Sequence, residues 1–164
     1  ICGWIGDNRG CSGGEIRTAM REMAADFAAK VICLLFFVLL PTHNVRPPLE
    51  TGGFTSWAMR TIWLLDTPTN LFPSIHCFVS WLGTRYIYEC RSLRHRGLTC
   101  TLCTVGSVLV FLATMFTKQH VFYDVIGGVA VAEIGWLVAR YTGLPRLFER
   151  LNGRFLRTKL AQMI

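Results

Sequence analysis

His120 and Asp124 stand four residues apart, so on a helix they share one face, and the carboxylate would fix the imidazole's tautomer and raise its basicity. That is the pattern of a nucleophile or general base with its orienting group. Asp124 sits at the start of an apolar run, where an ionisable side chain is costly and marks function unless it merely caps the helix. A second histidine, His76, closes the string Pro73-Ser74-Ile75-His76. Arg46, in Asn44-Val45-Arg46-Pro47, and Lys118, just before His120, bring positive charge as a planar fork and a point charge, which suits a phosphoryl group. Two histidines and an aspartate can also hold a metal, but no ligand spacing accompanies them and no oxygen-rich cage is visible. The site is therefore read as holding no metal and no cofactor.

The elements that must position these residues are those of a membrane protein. Of 164 residues 52% are hydrophobic and only 16% charged, too apolar for an ordinary soluble domain of this length. The net charge of +7 is concentrated at the ends of apolar runs, so the expected counter-ions are lipid headgroups and not nucleic acid. Seven cysteines, an odd number without framework spacing, argue against a disulfide scaffold. Cys100-Thr-Leu-Cys103 lies inside an apolar run with no second pair, and reads as helix packing. No Met opens the chain, and the first residues have neither the cationic start nor the apolar core of a signal peptide. The sequence thus reads as beginning inside a longer protein.

Residues 1–22, rich in Gly and charge, read as an N-terminal loop or truncated connection. An apolar run over 23–40 predicts a first span ending at Pro41, with Lys30 close enough to one end to reach the interface. The Pro-rich stretch 41–73 is a connection, within which 54–65 has the aromatic, amphipathic pattern of a short helix lying in the headgroup layer. Further spans are predicted over 74–90, 98–116 and 120–138; Arg85 and Glu89 are spaced to pair on one helix, and Gly128 and Ala132 to allow close helix approach. Beyond Arg140 the chain turns basic and amphipathic, with Leu144, Leu147, Phe148 and Leu151 against Arg146, Arg150 and Arg154. This divides the chain into the segment 1–22, a membrane catalytic domain over 23–140 and a cytoplasmic tail over 141–164. The basic loop at 91–96 and the basic tail are two spans apart and share one side, the cytoplasmic one by the positive-inside rule. His76, His120, Arg46, Lys118 and Asp124 then gather on the extracytoplasmic face.

Arg46-Pro47, Pro73-Ser74-Ile75-His76 and His120-x-x-x-Asp124, in that order and on one membrane face, resemble the type 2 phosphatidic acid phosphatase (PAP2) superfamily over residues 25–140. The family pattern is Lys-x6-Arg-Pro, then Pro-Ser-Gly-His, then Ser-Arg-x5-His-x3-Asp. Here Leu39 stands in place of the Lys, Ile75 of the Gly and Ala113-Thr114 of the Ser-Arg pair. Lys118 is the natural substitute for one missing cation, and the chain looks like a divergent branch with a Lys-Gln-His third motif. Family members generally have more spans than the four read here, which fits a chain lacking its first helices. The resemblance implies an all-α, multi-pass bundle in the cell membrane and a metal-independent phosphatase acting on a lipid phosphomonoester or diphosphate, of the phosphatidate or polyprenyl diphosphate class. In it His120 would attack phosphorus to form a phosphohistidine, Asp124 would stabilise the imidazolium, and His76 would protonate the departing alkoxide. Arg46, Lys118 and the hydroxyl or amide of Ser74 would hold the equatorial oxygens. The same site would serve a lipid phosphotransferase, and a catalytically inactive protein binding lipid phosphate would keep the same fold.

Overall fold

The computed structural model of the chain describes residues 13–43, 46, 48, 52–65, 69–91 and 93–151; predictions for 1–12, for Asn44, Val45 and Pro47, and for the tail beyond 151 lie outside these residues. The fold is helical: α1 (Gly13–Leu39), α2 (Phe54–Leu65), α3 (Ile75–Glu89), α4 (Arg96–Phe116) and α5 (Phe122–Tyr141), followed by α6, described over 144–151. Among the described residues the only β-type pairing is an isolated bridge between His43 and Thr69. Each apolar run of the sequence corresponds to a helix.

The helix α1 begins at Gly13, inside the stretch expected to be a loop. The Gly-rich start suggests a break, but Ala24, Ala25, Ala29 and Cys33 supply a narrow buried face that α5 covers, and this packing carries the helix back through the charged segment. The helices α4 and α5 are long and apolar enough to cross a bilayer. At 1.5 Å per residue the 15-residue α3 rises only about 22 Å, short of the roughly 30 Å of a hydrocarbon core.

Helix α5 is the hub, packed against α1 and α3, with α3 in turn against α4. Two glycines let it serve both neighbours. A Cβ at Gly135 would stand 2.6 Å from the Ala25 carbonyl oxygen, and one at Gly128 would stand 2.6 Å from the Ser74 carbonyl oxygen and 2.9 Å from Cys77 Cβ. Small residues at these positions bring the backbones together, as Gly128 and Ala132 predicted. Phe78, Leu82, Val131 and Trp136 fill the layer beside them.

Polarity on α4 is inverted relative to a helix of a water-soluble bundle. Leu98, Leu102, Val105, Leu109, Leu112 and Phe116 form a stripe on α4 at alternating steps of four and three, and all are exposed. The inner face of α4 carries Cys100, Ser107 and Thr114. Ser107 Oγ lies 2.8 Å from Thr84 Oγ1 and donates to the Ser80 carbonyl oxygen at 2.9 Å, so α3 and α4 are joined by hydroxyls. Only 17% of the apolar window of α4 is buried against 50% for α5, which places α4 at the periphery and α5 in the centre. Cys100 and Cys103 are free thiols of α4.

Two predicted side-chain assignments are corrected. Arg85 and Glu89 do not pair with each other: Arg85 Nε is 3.2 Å from Glu133 Oε1 on α5, and Glu89 Oε2 is 3.7 Å from Arg21 on α1. Neighbouring helices approach closely enough to offer each charge a partner across the interface, and Glu133 also accepts the Trp81 indole N–H at 2.7 Å. Nor is the apolar face of the basic tail wholly exposed, although Leu147 and Leu151 are. Leu144 and Phe148 pack on the core, and the Phe148 ring meets Phe27 edge-on at 6.0 Å.

Gly128→Ala should destabilise the protein by about 1–3 kcal/mol, because the added methyl meets backbone and cannot be relieved by a rotamer change. Gly106→Ala, in α4 with open space around it, should instead stabilise by roughly 0.5–1 kcal/mol through helix propensity. Thermal unfolding of both variants in one detergent checks the contrast.

Candidate functional site

The site forms where α3 and α5 begin side by side. Ser74 is the N-cap of α3: its Oγ accepts the Cys77 backbone N–H at 3.4 Å, and its own N–H donates to the Asp124 carbonyl oxygen at 3.1 Å. Ser74 is fully buried. The structure thus uses Ser74 to clamp the first turn of α3 to that of α5, which places His76, the second residue of α3, beside His120.

His120 does not belong to α5, as its spacing from Asp124 suggested. It precedes the N-cap Val121, in the turn leaving α4. The two side chains still meet, with His120 Nδ1 3.4 Å from Asp124 Oδ2, both residues buried at 8% and 6% exposure. The same carboxylate oxygen accepts the Val121 backbone N–H at 3.0 Å. Capping and orienting are therefore one act: the bond that starts α5 also fixes the carboxylate that faces the imidazole. With Nδ1 turned to Asp124, Nε2 is the atom on the far side of the ring.

The His76 ring lies 5.9 Å from that of His120, centroid to centroid, at 66°. Both line a pocket of about 220 Å³ completed by Phe37, Thr69, Asn70, Leu71 and Ile75. The lining thus combines the two imidazoles with polar Thr69 and Asn70 and with apolar Phe37, Leu71 and Ile75. The floor is stitched by a residue that no motif flagged. Thr42 Oγ1 accepts the N–H groups of Leu71 and Phe72 at 2.8 and 3.2 Å, and the Thr42 carbonyl oxygen accepts that of Asn70 at 2.8 Å. A lone Thr after a proline carries no spacing signal, and only the folded connection reveals its part.

Lys118 lies in the turn between α4 and His120 with φ of 56°, in the left-handed region. Its N–H donates to the Met115 carbonyl oxygen at 3.1 Å, and that of Gln119 to the Thr114 carbonyl oxygen at 3.0 Å, the paired bonds of a Schellman helix ending in which glycine is the usual occupant. The His120 N–H joins the same Thr114 oxygen at 3.2 Å, so the helix ending itself sets where the imidazole begins. Thr114 is buried, with Oγ1 4.0 Å from Cys77 Sγ, and a long cation at this position would have to enter the helix interface.

Arg46 is held by α2: one guanidinium nitrogen donates to the Trp63 carbonyl oxygen at 2.8 Å, and the guanidinium lies 5.4 Å from the centroid of the Trp63 ring. The Trp63 indole in turn donates to the Thr117 carbonyl oxygen at 2.9 Å. Trp63, expected only to dip into the headgroup layer, thus ties the Arg46 segment to the turn bearing Lys118. Neither cation lines the pocket itself. The other candidate cation, Lys30, is paired with Asp26 at 2.6 Å within α1, and Leu39, in the place of the first-motif Lys, is exposed at the end of that helix.

A family model described as the PAP2 superfamily matches residues 15–138. No curated protein and no solved structure matches the chain.

Because an L residue in the left-handed region is disfavoured by about 1–2 kcal/mol, Lys118→Gly should leave stability unchanged or raise it by up to about 1 kcal/mol once the added flexibility of the unfolded chain is counted. Thermal unfolding measures this directly; a clear loss would show that the lysine side chain, and not the turn, holds the segment.

Proposed function

The chain belongs to the PAP2 superfamily, and on that premise we propose that it is an integral-membrane phosphatase removing phosphate from a lipid phosphomonoester or diphosphate through a phosphohistidine. Family membership supports phosphatase chemistry in general. The observation that carries the finer reading is the facing pair of imidazoles, one backed by a buried carboxylate, over a pocket that Phe37, Leu71 and Ile75 also line.

In the proposed reaction the Nε2 lone pair of His120 attacks phosphorus as the bond to the ester oxygen breaks. Asp124, already facing Nδ1, offsets the positive charge that grows on the ring. His76, at the exposed mouth of the pocket, gives its proton to the departing alkoxide and then takes one from the water that attacks the phosphohistidine. Phosphate leaves and both histidines return to their starting states. Arg46, oriented by Trp63, and Lys118, on the turn that Trp63 braces, neutralise the equatorial oxygens. Ser74 acts through the α3–α5 clamp, which sets the distance between the two imidazoles.

A lipid substrate is supported by what surrounds the pocket. Phe37, Leu71 and Ile75 form its apolar side, and Leu34, Val38 and Leu40 at the end of α1 are exposed next to Phe37. An acyl or polyprenyl chain can lie along this surface while its phosphate reaches His120. The exposed stripe on α4 supports a bilayer around the bundle.

His120→Ala should lower kcat/KM at least about a thousandfold, some 4 kcal/mol of transition-state stabilisation. Phosphate release from a panel of lipid phosphates and diphosphates is the measurement; acid-labile, base-stable phosphate should be trapped on His120, and its appearance on His76 would reverse the two roles. Quantitative transfer of phosphate to a lipid alcohol, with none released, would make the protein a phosphotransferase. Lys118→Gly should cost about tenfold or more in turnover despite its neutral effect on folding, with Lys118→Arg retaining most activity. Activity should be undiminished in chelator; a loss restored by one particular metal would place the site among metallohydrolases.

The catalytic end is proposed to face away from the cytoplasm, since Arg91, Arg94 and Arg96 and the described basic residues Arg140, Arg146 and Arg150 lie at the opposite end. Single cysteines at Thr55 and Arg94 in a cysteine-free background, probed on intact cells with an impermeant thiol reagent, test it. Labelling at Thr55 alone is expected; labelling at Arg94 alone would invert the protein and make its substrate a cytoplasmic phosphate ester.

A further inference from the structure

At the end of the bundle opposite the histidines, the start of α1, the end of α5 and the start of α6 enclose a cleft of about 430 Å³. Arg17 and Arg21 reach it from α1, Arg140 from the last turn of α5 and Arg146 from α6, with Thr142 and Glu149 completing the wall. Four arginines from three separate elements thus line one cleft with one carboxylate among the described residues. Only Arg21 has an ion-pair partner among the described residues, Glu89 at 3.7 Å; Arg140 rests beside the Tyr141 ring at 5.9 Å.

Helix electrostatics explain one of the four at most. Arg140 suits the negative end of the α5 dipole, but Arg17 and Arg21 lie near the N-terminal end of α1, where the dipole gives cations no support. Gathering like charges around a shared hollow costs free energy that an anion would recover. Several planar forks converging from different directions match an anion with several acceptor oxygens better than a single carboxylate. Depth agrees: the 20 residues of α5 rise about 30 Å, the thickness of a hydrocarbon core, so Arg140 sits at headgroup level when the histidines are at the other surface.

We propose that this cleft binds a phosphate group, either that of an anionic lipid headgroup or that of a soluble phosphate, at a second site separate from the histidine pocket. It shares no residue with that pocket, so the inference stands apart from the phosphatase reading.

The test uses the full chain in phosphatidylcholine nanodiscs, with retained adducts counted by native mass spectrometry. One arm adds phosphatidylglycerol, a phosphodiester lipid; the other adds inorganic phosphate. Arg17→Ala combined with Arg146→Ala should lower retention about tenfold or more, while His120→Asn should leave it unchanged. Glu149→Gln, which removes the only carboxylate lining the cleft among the described residues and is not expected to disturb folding, should raise retention about threefold. Arginine-dependent retention of phosphatidylglycerol assigns the site to a lipid headgroup, and arginine-dependent retention of inorganic phosphate alone assigns it to a soluble ligand; both support the proposal. Retention that is indifferent to the arginines and to Glu149, or that disappears in His120→Asn, overturns it.

Discussion

The close approach of α3 to α5 at their first turns sets the geometry on which the rest of the site depends. A main-chain bond of 3.1 Å joins the Ser74 N–H to the Asp124 carbonyl oxygen, and Gly128, one turn further along α5, leaves no room for even a methyl group against the Ser74 carbonyl oxygen. Two helices joined this tightly at backbone level cannot slide, because a displaced turn would leave buried polar groups unpaired. The side chains that face each other across this contact, His76 and His120, inherit its rigidity. In the proposed reaction, preorganisation of this kind would let the two imidazoles act on one phosphorus without first being gathered.

The cations are placed by a different device. No helix of the hub carries Arg46 or Lys118; both stand on connections, which are normally the loosest parts of a fold. Here the connections are tied to one another. Trp63 takes Arg46 by its carbonyl oxygen and ring face, and takes the 117–120 turn by its indole N–H. The short helix α2 thereby becomes a strut between the first and third motifs. A lysine in a left-handed conformation at the end of α4 completes the turn and starts the chain toward His120. The strained backbone position and the proposed phosphate-facing charge coincide in one residue, as strain at functional positions commonly does.

The lipid surroundings of the proposed function would account for the outward leucines of α4. In water a helix hides its leucines, and the driving force is the removal of apolar surface. A helix such as α4, with its leucines outward and its hydroxyls inward, gains nothing from that force; it is held by close backbone contact and by hydrogen bonds such as those among Ser80, Thr84 and Ser107. The same reasoning explains why Arg85 and Glu133 meet across the α3–α5 interface, since a charge on an apolar bundle takes the nearest opposite charge whichever helix offers it.

The sequence by itself determined the helical class, the positions of α2 to α5 within a few residues, and the chemistry available at His76, His120 and Asp124. Apolar runs and Pro-marked breaks are local signals, and the order and spacing of the motifs survive in one dimension. It also determined that Gly128 would permit close approach, since small residues at helical spacing have that consequence in any bundle. Tertiary structure alone decided which helix α5 would touch at each glycine, that Glu89 would reach Arg21 and not Arg85, and that Ser74 would be buried as a clamp. It decided as well that the helix over Ala24 to Cys33 extends back to Gly13, since the partner that packs on α1 is α5, far away along the chain. Thr42 and Trp63 were illegible for the same physical reason: each acts through hydrogen bonds to residues some 30 and 54 positions away, and no local pattern encodes a partner that only folding brings near.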